Sequence, residues 1–175
     1  MADSNLVSLL DETAPTEYSG EVCRHTGPGA HPLSTTGAQT QGGRWNPPNS
    51  FPTLYLALSD ETAAAEFYRR AQGENRPAED LLPRRLHRYR VRLSVVLDLT
   101  DPDVKQHLGI SDEDLLSDDR ELCNALGEAA HYVGFEGILA PSATGVGEVL
   151  VVLFDRLKAE SDVEPIGYLD WTSPP

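Results

Sequence analysis

Arg88-Tyr89-Arg90-Val91-Arg92-Leu93-Ser94-Val95-Val96-Leu97-Asp98-Leu99 sets an apolar or aromatic residue at every second position, namely Tyr89, Val91, Leu93, Val95, Leu97 and Leu99. That period of two predicts a strand with these six side chains on a single buried face. Downstream, residues 119–133 carry Leu122, Ala125, Leu126, Ala129, Ala130 and Val133 at helical spacing and stop at Gly134, a residue suited to the left-handed close of a helix. Ser111 with Asp114 three residues on has the form of a capping box. Two more strands follow, residues 137–140 and 148–155, the second so continuously apolar that cover on both faces is expected. Upstream, residues 17–24 and 53–58 read as strands. Ser59-Asp60-Glu61 then opens a helix with Ala63, Phe67 and Ala71 as its packing stripe.

Strands and helices of this kind in 175 residues predict one α+β domain. Residues 1–16 are expected to be an arm or short helix, residues 17–160 the domain, and residues 161–175 a peripheral tail. A chain of this length buries enough surface to fold without a metal or disulfides. Hydrophobic residues at 39% and charged residues at 24% are ordinary for a globular protein.

Twenty-eight acidic against fourteen basic residues give a formal net charge of -14, which opposes binding to nucleic acid or to an anionic membrane. Arg84, Arg85, Arg88, Arg90 and Arg92 resemble a basic patch, but the last three alternate with core positions and read as the polar face of a strand. Cys23 and Cys123 fit no metal-ligand spacing and no disulfide framework. The five histidines lack paired ligand spacing, so no metal is expected. Gly145-Val146-Gly147 lacks the Lys and Ser or Thr of a P-loop. The first twelve residues hold no basic start and no leader-like apolar run, and no stretch reaches the ~20 apolar residues of a membrane span, so a cytoplasmic location is expected.

Residues 26–49 are rich in Gly, Pro, Ser and Thr and form a long loop, a kind of segment that tends to be functional. Its centre is Gly42-Gly43-Arg44-Trp45-Asn46-Pro47-Pro48. Paired glycines let backbone approach a ligand, and the guanidinium of Arg44 suits phosphate oxygens. Equally, Arg44 could stack on Trp45 and fasten the loop. Glu66 fits either a cleft carboxylate that stabilises positive charge on a sugar carbon or a solvated helix residue. Tyr55 suits stacking on a ligand or a place in the core. Arg24 reads as a phosphate ligand or as the partner of a nearby carboxylate. Ser142, beside Pro141, suits a hydrogen bond to a ribose or to Glu66, or a turn closed on its own backbone.

In this order, Arg24, Gly42-Gly43-Arg44-Trp45-Asn46, Tyr55-Leu56-Ala57, Ala65-Glu66 and Pro141-Ser142-Ala143 resemble the RES-domain family over roughly residues 18–155. The resemblance implies a core like that of the ADP-ribosyltransferases, with small mixed sheets flanked by helices. It implies a bacterial type II toxin that consumes NAD, held by an Xre-like antitoxin, with NAD as substrate rather than as a bound cofactor. Carried over to this chain, Arg24 and Arg44 would hold the pyrophosphate, Arg44 counting with Glu66 and Ser142 as catalytic, and Trp45 and Asn46 would bind NAD as well. Tyr55 would pack near the nicotinamide ribose, while Glu66 and Ser142 would line the reacting ribose. The acceptor stays open among inorganic phosphate, water and a protein, the last making the chain an ADP-ribosyltransferase. A catalytically silent NAD- or antitoxin-binding module is the reading from another class. Two positions depart from the pattern: His25 follows Arg24 where an aromatic or aliphatic residue is commoner, and Asn49 stands where a glycine often closes the loop.

Overall fold

The structure, a computed structural model, describes residues 3–175; Met1 and Ala2 of the expected arm lie outside the described residues. In chain order the elements are α1 (Ser4–Asp11), β1 (Thr16–Thr26), α2 (Thr36–Gln41), β2 (Thr53–Ala57), α3 (Asp60–Gly73) and β3 (Arg84–Asp98). They continue with α4 (Pro102–Leu108), α5 (Asp112–Leu116), α6 (Glu121–Val133), β4 (Gly137–Pro141), β5 (Glu148–Leu153) and β6 (Asp162–Trp171).

One sheet holds all six strands, in the order β1-β2-β5-β4-β3-β6, and a further pairing of β1 with β3 closes five of them into a barrel. The expected small sheets are therefore a single closed one. Neighbours are antiparallel except β3 and β4, which run parallel with Val96 opposite Gly137. A parallel neighbour needs a long crossover, and α4, α5 and α6 supply it. Closure spares the five ring strands the free edges of an open sheet, while β6 lies outside the ring at the end of the strand order.

The long strand β3 departs from its expected one-sided alternation. Tyr89, Val91, Leu93 and Val96 join a core built from strand residues such as Val22, Leu54, Leu56, Leu150 and Val152. Val95, Leu97 and Leu99 instead pack on the opposite side with Trp45, Leu115, Leu126 and Ile138. The cause is a slip in pairing with β1, where Thr16 faces Val96 but Tyr18 faces Leu93. One extra residue on β3 turns every later side chain to the other face. The N–H groups of Ser94 and Val95 at this bulge donate to the buried carboxylate of Glu136, at 2.7 and 2.8 Å.

Other expectations hold. Along β5, Val149, Val151 and Leu153 face one core and Leu150 and Val152 the other, so this strand is covered on both sides. Ala63 and Phe67 of α3 are buried against Cys23, Ala57, Leu86 and Trp171, and Ala71 further along the same stripe is buried too. Ser59 caps α3 by accepting from the Thr62 N–H, and Ser111 and Asp114 form the capping box of α5. Gly134 closes α6 with a φ of 104°. The loop over residues 26–49 contains the short helix α2, and the supposed arm contains α1, whose Leu10 is fully buried in the helical core.

The expected peripheral tail is corrected. Residues 162–171 form β6, antiparallel to β3 from Arg92 to Arg84. The segment misleads because eight of its ten residues are exposed, and Pro165 and Gly167 interrupt its pattern. It holds its place through backbone pairing, through the Arg85–Asp170 and Arg90–Glu164 ion pairs, and through the buried ring of Trp171. Of the three arginines read as the polar face of this strand, Arg88 and Arg90 pair with carboxylates and Arg92 is exposed; Arg85 pairs with Asp170.

Candidate active site

Strand β2 and helix α3 set the site in place. Tyr55 sits mid-strand, and Glu66 lies one turn after Ala63, so the burial of Ala63 and Phe67 aims the glutamate along the sheet surface. Two adjoining cavities meet there. The smaller, 490 Å³, is lined by residues that include Arg24, His25, Tyr55, Glu66, Arg70 and Arg84. The larger, 820 Å³, includes Gly43, Arg44, Tyr55, Glu66, Arg69, Arg70 and Arg120 in its lining. Tyr55, Glu66 and Arg70 face both lobes.

Glu66 is desolvated. Its pKa is raised by burial, against which the hydroxyl of Ser142 and the charge of Arg69 work in the other direction. Ser142 is fully buried and donates from Oγ to Glu66 Oε1 at 3.2 Å, and its Oγ also lies 2.8 Å from Thr144 Oγ1. The serine therefore orients the carboxylate, the alternative that linked it to Glu66. Its own side chain is absent from both cavity linings.

The loop around Arg44 is a scaffold for Tyr55. Gly42 has a φ of 76°, and a side chain there would strike Pro48; a side chain on Gly43 would strike the Tyr55 ring. The Tyr55 hydroxyl accepts from the Trp45 N–H at 2.9 Å and donates to Asn46 Oδ1 at 2.7 Å. Burial raises its pKa, so the phenol stays protonated. Asn124 of α6 clamps the loop by donating to the carbonyls of Gly43 and Arg44. Asn49, the expected departure, has a φ of 55°; it takes the glycine-like conformation that asparagine tolerates better than other side chains.

Placement of the expected residues divides them. Arg24, Arg44, Tyr55 and Glu66 all reach a cavity wall, while Trp45 lines the larger lobe yet has a ring buried in the helical core. Asn46 is fully buried, bonds to Tyr55 and the Ala38 carbonyl, and reaches neither cavity; it supports the site from behind. The two arginines expected to share one pyrophosphate stand in different lobes, each sharing its lobe with Glu66. Both also carry structural bonds. Arg24 Nη1 donates to the carbonyls of Pro32 and Ser34, and Arg44 Nη1 to those of Leu115 and Ser117. Neither the stacking of Arg44 on Trp45 nor a carboxylate partner for Arg24 is found among these bonds.

Cavity-lining residues not expected from the sequence include Arg69, Arg70, Arg84 and Arg120. Arg70 had a signal, since it stands four residues after Glu66 and so shares its face of α3. In the sequence Arg84 is legible only as part of a basic cluster and Arg120 carries no signal, because their lobes are assembled by distant elements. Arg69 pairs with Asp118 at 3.0 Å on the rim of the larger lobe. Among the described residues no group of three or more His, Cys, Asp or Glu side chains stands ready for a metal, and no helix is long and apolar enough to cross a membrane.

A barrel with an arginine-lined cleft around one desolvated, serine-held glutamate defines the class, and the chain belongs to the RES-domain family, whose pattern matches residues 21–172. It is similar to the NAD(+) phosphorylase MbcT of Mycobacterium tuberculosis (strain ATCC 25618 / H37Rv), with 39% identity over 158 residues, 89% of this chain and 85% of that protein. A second relative in the same organism, the probable NAD(+) phosphorylase Rv3189, is 33% identical over 155 residues, 87% of this chain and 72% of that protein. The structure superposes on a chain of the M. tuberculosis MbcT-MbcA toxin-antitoxin complex with a TM-score of 0.86 and 34% identity, covering 97% of this chain and 93% of the other.

Proposed function

We propose that this chain is an NAD phosphorylase, acting in the cytoplasm as the toxin of a toxin-antitoxin pair, with a barrel related to the ADP-ribosyltransferase core. The observation that carries the reading is Glu66, oriented by Ser142 at the junction of two arginine-lined lobes. Similarity to MbcT over nearly the whole domain supports it. The larger lobe takes the dinucleotide, with Arg44, Arg69, Arg70 and Arg120 facing its pyrophosphate. Tyr55, held by Asn46 and Trp45, flanks the ribose attached to nicotinamide, and Arg24 faces the reacting end from the smaller lobe.

Departure of nicotinamide moves the bonding electron pair onto the ring nitrogen and leaves the ribose C1′ with oxocarbenium character. The ionised Glu66 carboxylate stabilises that charge in a site from which most water is excluded. The Ser142 hydroxyl favours the ionised form over the protonated one, which burial alone would favour. The partner that fits the reading is an antitoxin of the kind seated on MbcT in its complex.

Purified protein incubated with NAD, with and without inorganic phosphate, tests this directly. Release of nicotinamide that depends on phosphate, with ADP-ribose phosphorylated at the anomeric carbon as product, is the expected result. Nicotinamide release independent of phosphate would make the enzyme a glycohydrolase. An unchanged NAD peak under both conditions would rule the reading out.

A further inference from the structure

The smaller lobe is basic beyond what a dinucleotide in the larger lobe requires. It gathers Arg24, Arg70 and Arg84 around 490 Å³, and Glu66 is the only carboxylate in its lining. Arg84 stands at the start of β3, opposite Trp171 of β6. Its Nε and Nη2 both lie 3.1 Å from His25 Nδ1, and Nη2 also donates to the His25 carbonyl at 3.3 Å. Its Nη1 makes no hydrogen bond among the described residues and lies by Gly27, which also lines the lobe.

The ring that holds Arg84 is itself fixed. His25 stacks on Trp171 at 5.7 Å between centroids and meets Phe67 edge-on at 5.8 Å. Burial, with Arg84, Arg70 and Arg24 nearby, pushes its pKa down to about 3, so the ring is neutral and Nδ1 accepts from the arginine. A neutral acceptor orients a guanidinium without cancelling its charge, whereas a carboxylate in the same place would neutralise it. The charge of Arg84 thus remains available to a ligand.

We propose that the smaller lobe is the binding site for the second substrate, inorganic phosphate, with Arg84, oriented by His25 and Trp171, as its principal ligand and Arg24 and Arg70 beside it. The inference rests on the phosphorylase reading above. Phosphate enters on the Glu66 side of the lobe, and an anionic oxygen of the hydrogenphosphate dianion forms the new bond to C1′. The bond from C1′ to nicotinamide breaks, and its electron pair neutralises the pyridinium ring. No proton must leave the attacking oxygen, because it already carries negative charge. Water would need a base to take its proton. Gathering a dianion against the guanidinium groups of Arg84 and Arg24, with Arg70, itself paired with Glu74 at 2.8 Å, beside them, therefore favours phosphorolysis over hydrolysis.

Arg84→Gln and Arg84→Lys are assayed beside wild type for NAD turnover at varied phosphate, and for the rise in melting temperature that inorganic phosphate alone produces. Arg84→Gln is expected to raise the KM for phosphate by about 10-fold or more while the KM for NAD moves less than about 2-fold. The product should shift toward unphosphorylated ADP-ribose, and the phosphate-induced stabilisation should be lost. Arg84→Lys should recover part of both, which separates binding from a loss of fold. A raised KM for NAD with that for phosphate unchanged would overturn the inference and assign Arg84 to the dinucleotide. Unchanged constants for both substrates in Arg84→Gln would overturn it as well. The two readings fail separately. Absent NAD turnover with Arg84-dependent phosphate binding would sink only the reaction, whereas phosphate-dependent turnover insensitive to Arg84 would sink only this site.

Discussion

Two carboxylates sit in contrasting corners of this molecule. Glu136, at the bulge of β3, accepts from the N–H groups of Ser94, Val95 and Lys158 and from the Ser94 hydroxyl, all within 3.0 Å. Burial alone would raise its pKa, but the Ser161 hydroxyl and the N–H groups of Lys158, Val95 and Ser94 outweigh that and hold it below its ordinary 4.5. Glu66, on the cleft side of α3, has the Ser142 hydroxyl at 3.2 Å as its one hydrogen bond among the described residues, and its pKa is raised. The same side chain is saturated in one place and left wanting in the other. A saturated carboxylate stabilises the fold, and an undersupplied one keeps its field for a cation that appears during a reaction.

The largest test of this contrast is kinetic. Glu66→Gln should slow nicotinamide release by about 10²- to 10³-fold, roughly 3 to 4 kcal/mol in the barrier, with the circular dichroism spectrum unchanged. Turnover within a few-fold of wild type would remove Glu66 from the chemistry. In cells, Glu66→Ala should relieve any growth arrest that expression of the wild-type chain causes.

Glu136→Gln should instead cost about 2 to 3 kcal/mol of stability in urea melts, since the amide turns a donor toward the N–H groups it must accept from. Activity per folded molecule should stay near wild type. A smaller effect is expected for Tyr55→Phe, which leaves the Trp45 N–H and Asn46 Oδ1 without their shared hydroxyl. About 1 kcal/mol of stability should go, with a fall in kcat as the loop under the larger lobe loosens.

The last prediction is a difference of sign. A raised carboxylate pKa means that the folded state favours the proton, so wild type loses stability relative to Glu66→Gln as pH climbs from about 4.5 through the raised value. Glu66→Gln should therefore melt above wild type at pH 8, with the gap closing below pH 4.5. For Glu136 the direction reverses. Its contribution is present above 4.5 and is lost as pH falls through the lowered value, so the deficit of Glu136→Gln should shrink in acid. Parallel melting curves for the two variants across this range would refute the contrast.

Local pattern determined much of this protein. The strands of β1, β2, β4 and β5, the capped start of α3, the end of α6 and the polar face of β3 follow from side-chain period and capping chemistry, which act over a few residues. The RES-type residues in their order pointed to the family, and through it to NAD. The contact of Glu66 with Ser142 is legible in the sequence only as one alternative among several, because 76 residues separate them.

Tertiary structure alone decided the rest. Closure of the barrel joins β1 to β3, and no local pattern encodes which distant strand completes a ring. The bulge at Ser94 and Val95 turns half of the best strand to another core, and the groups that hold it lie far away in sequence: β1 in the shifted register and the carboxylate of Glu136, some forty positions on. The last strand, mostly exposed, is held by backbone pairing that hydrophobic period does not report. The two basic lobes exist only because residues from β1, β2, α3, β3 and the loops converge there. Periodicity reports which side of an element is buried, while the meeting of charges across elements depends on the path of the whole chain.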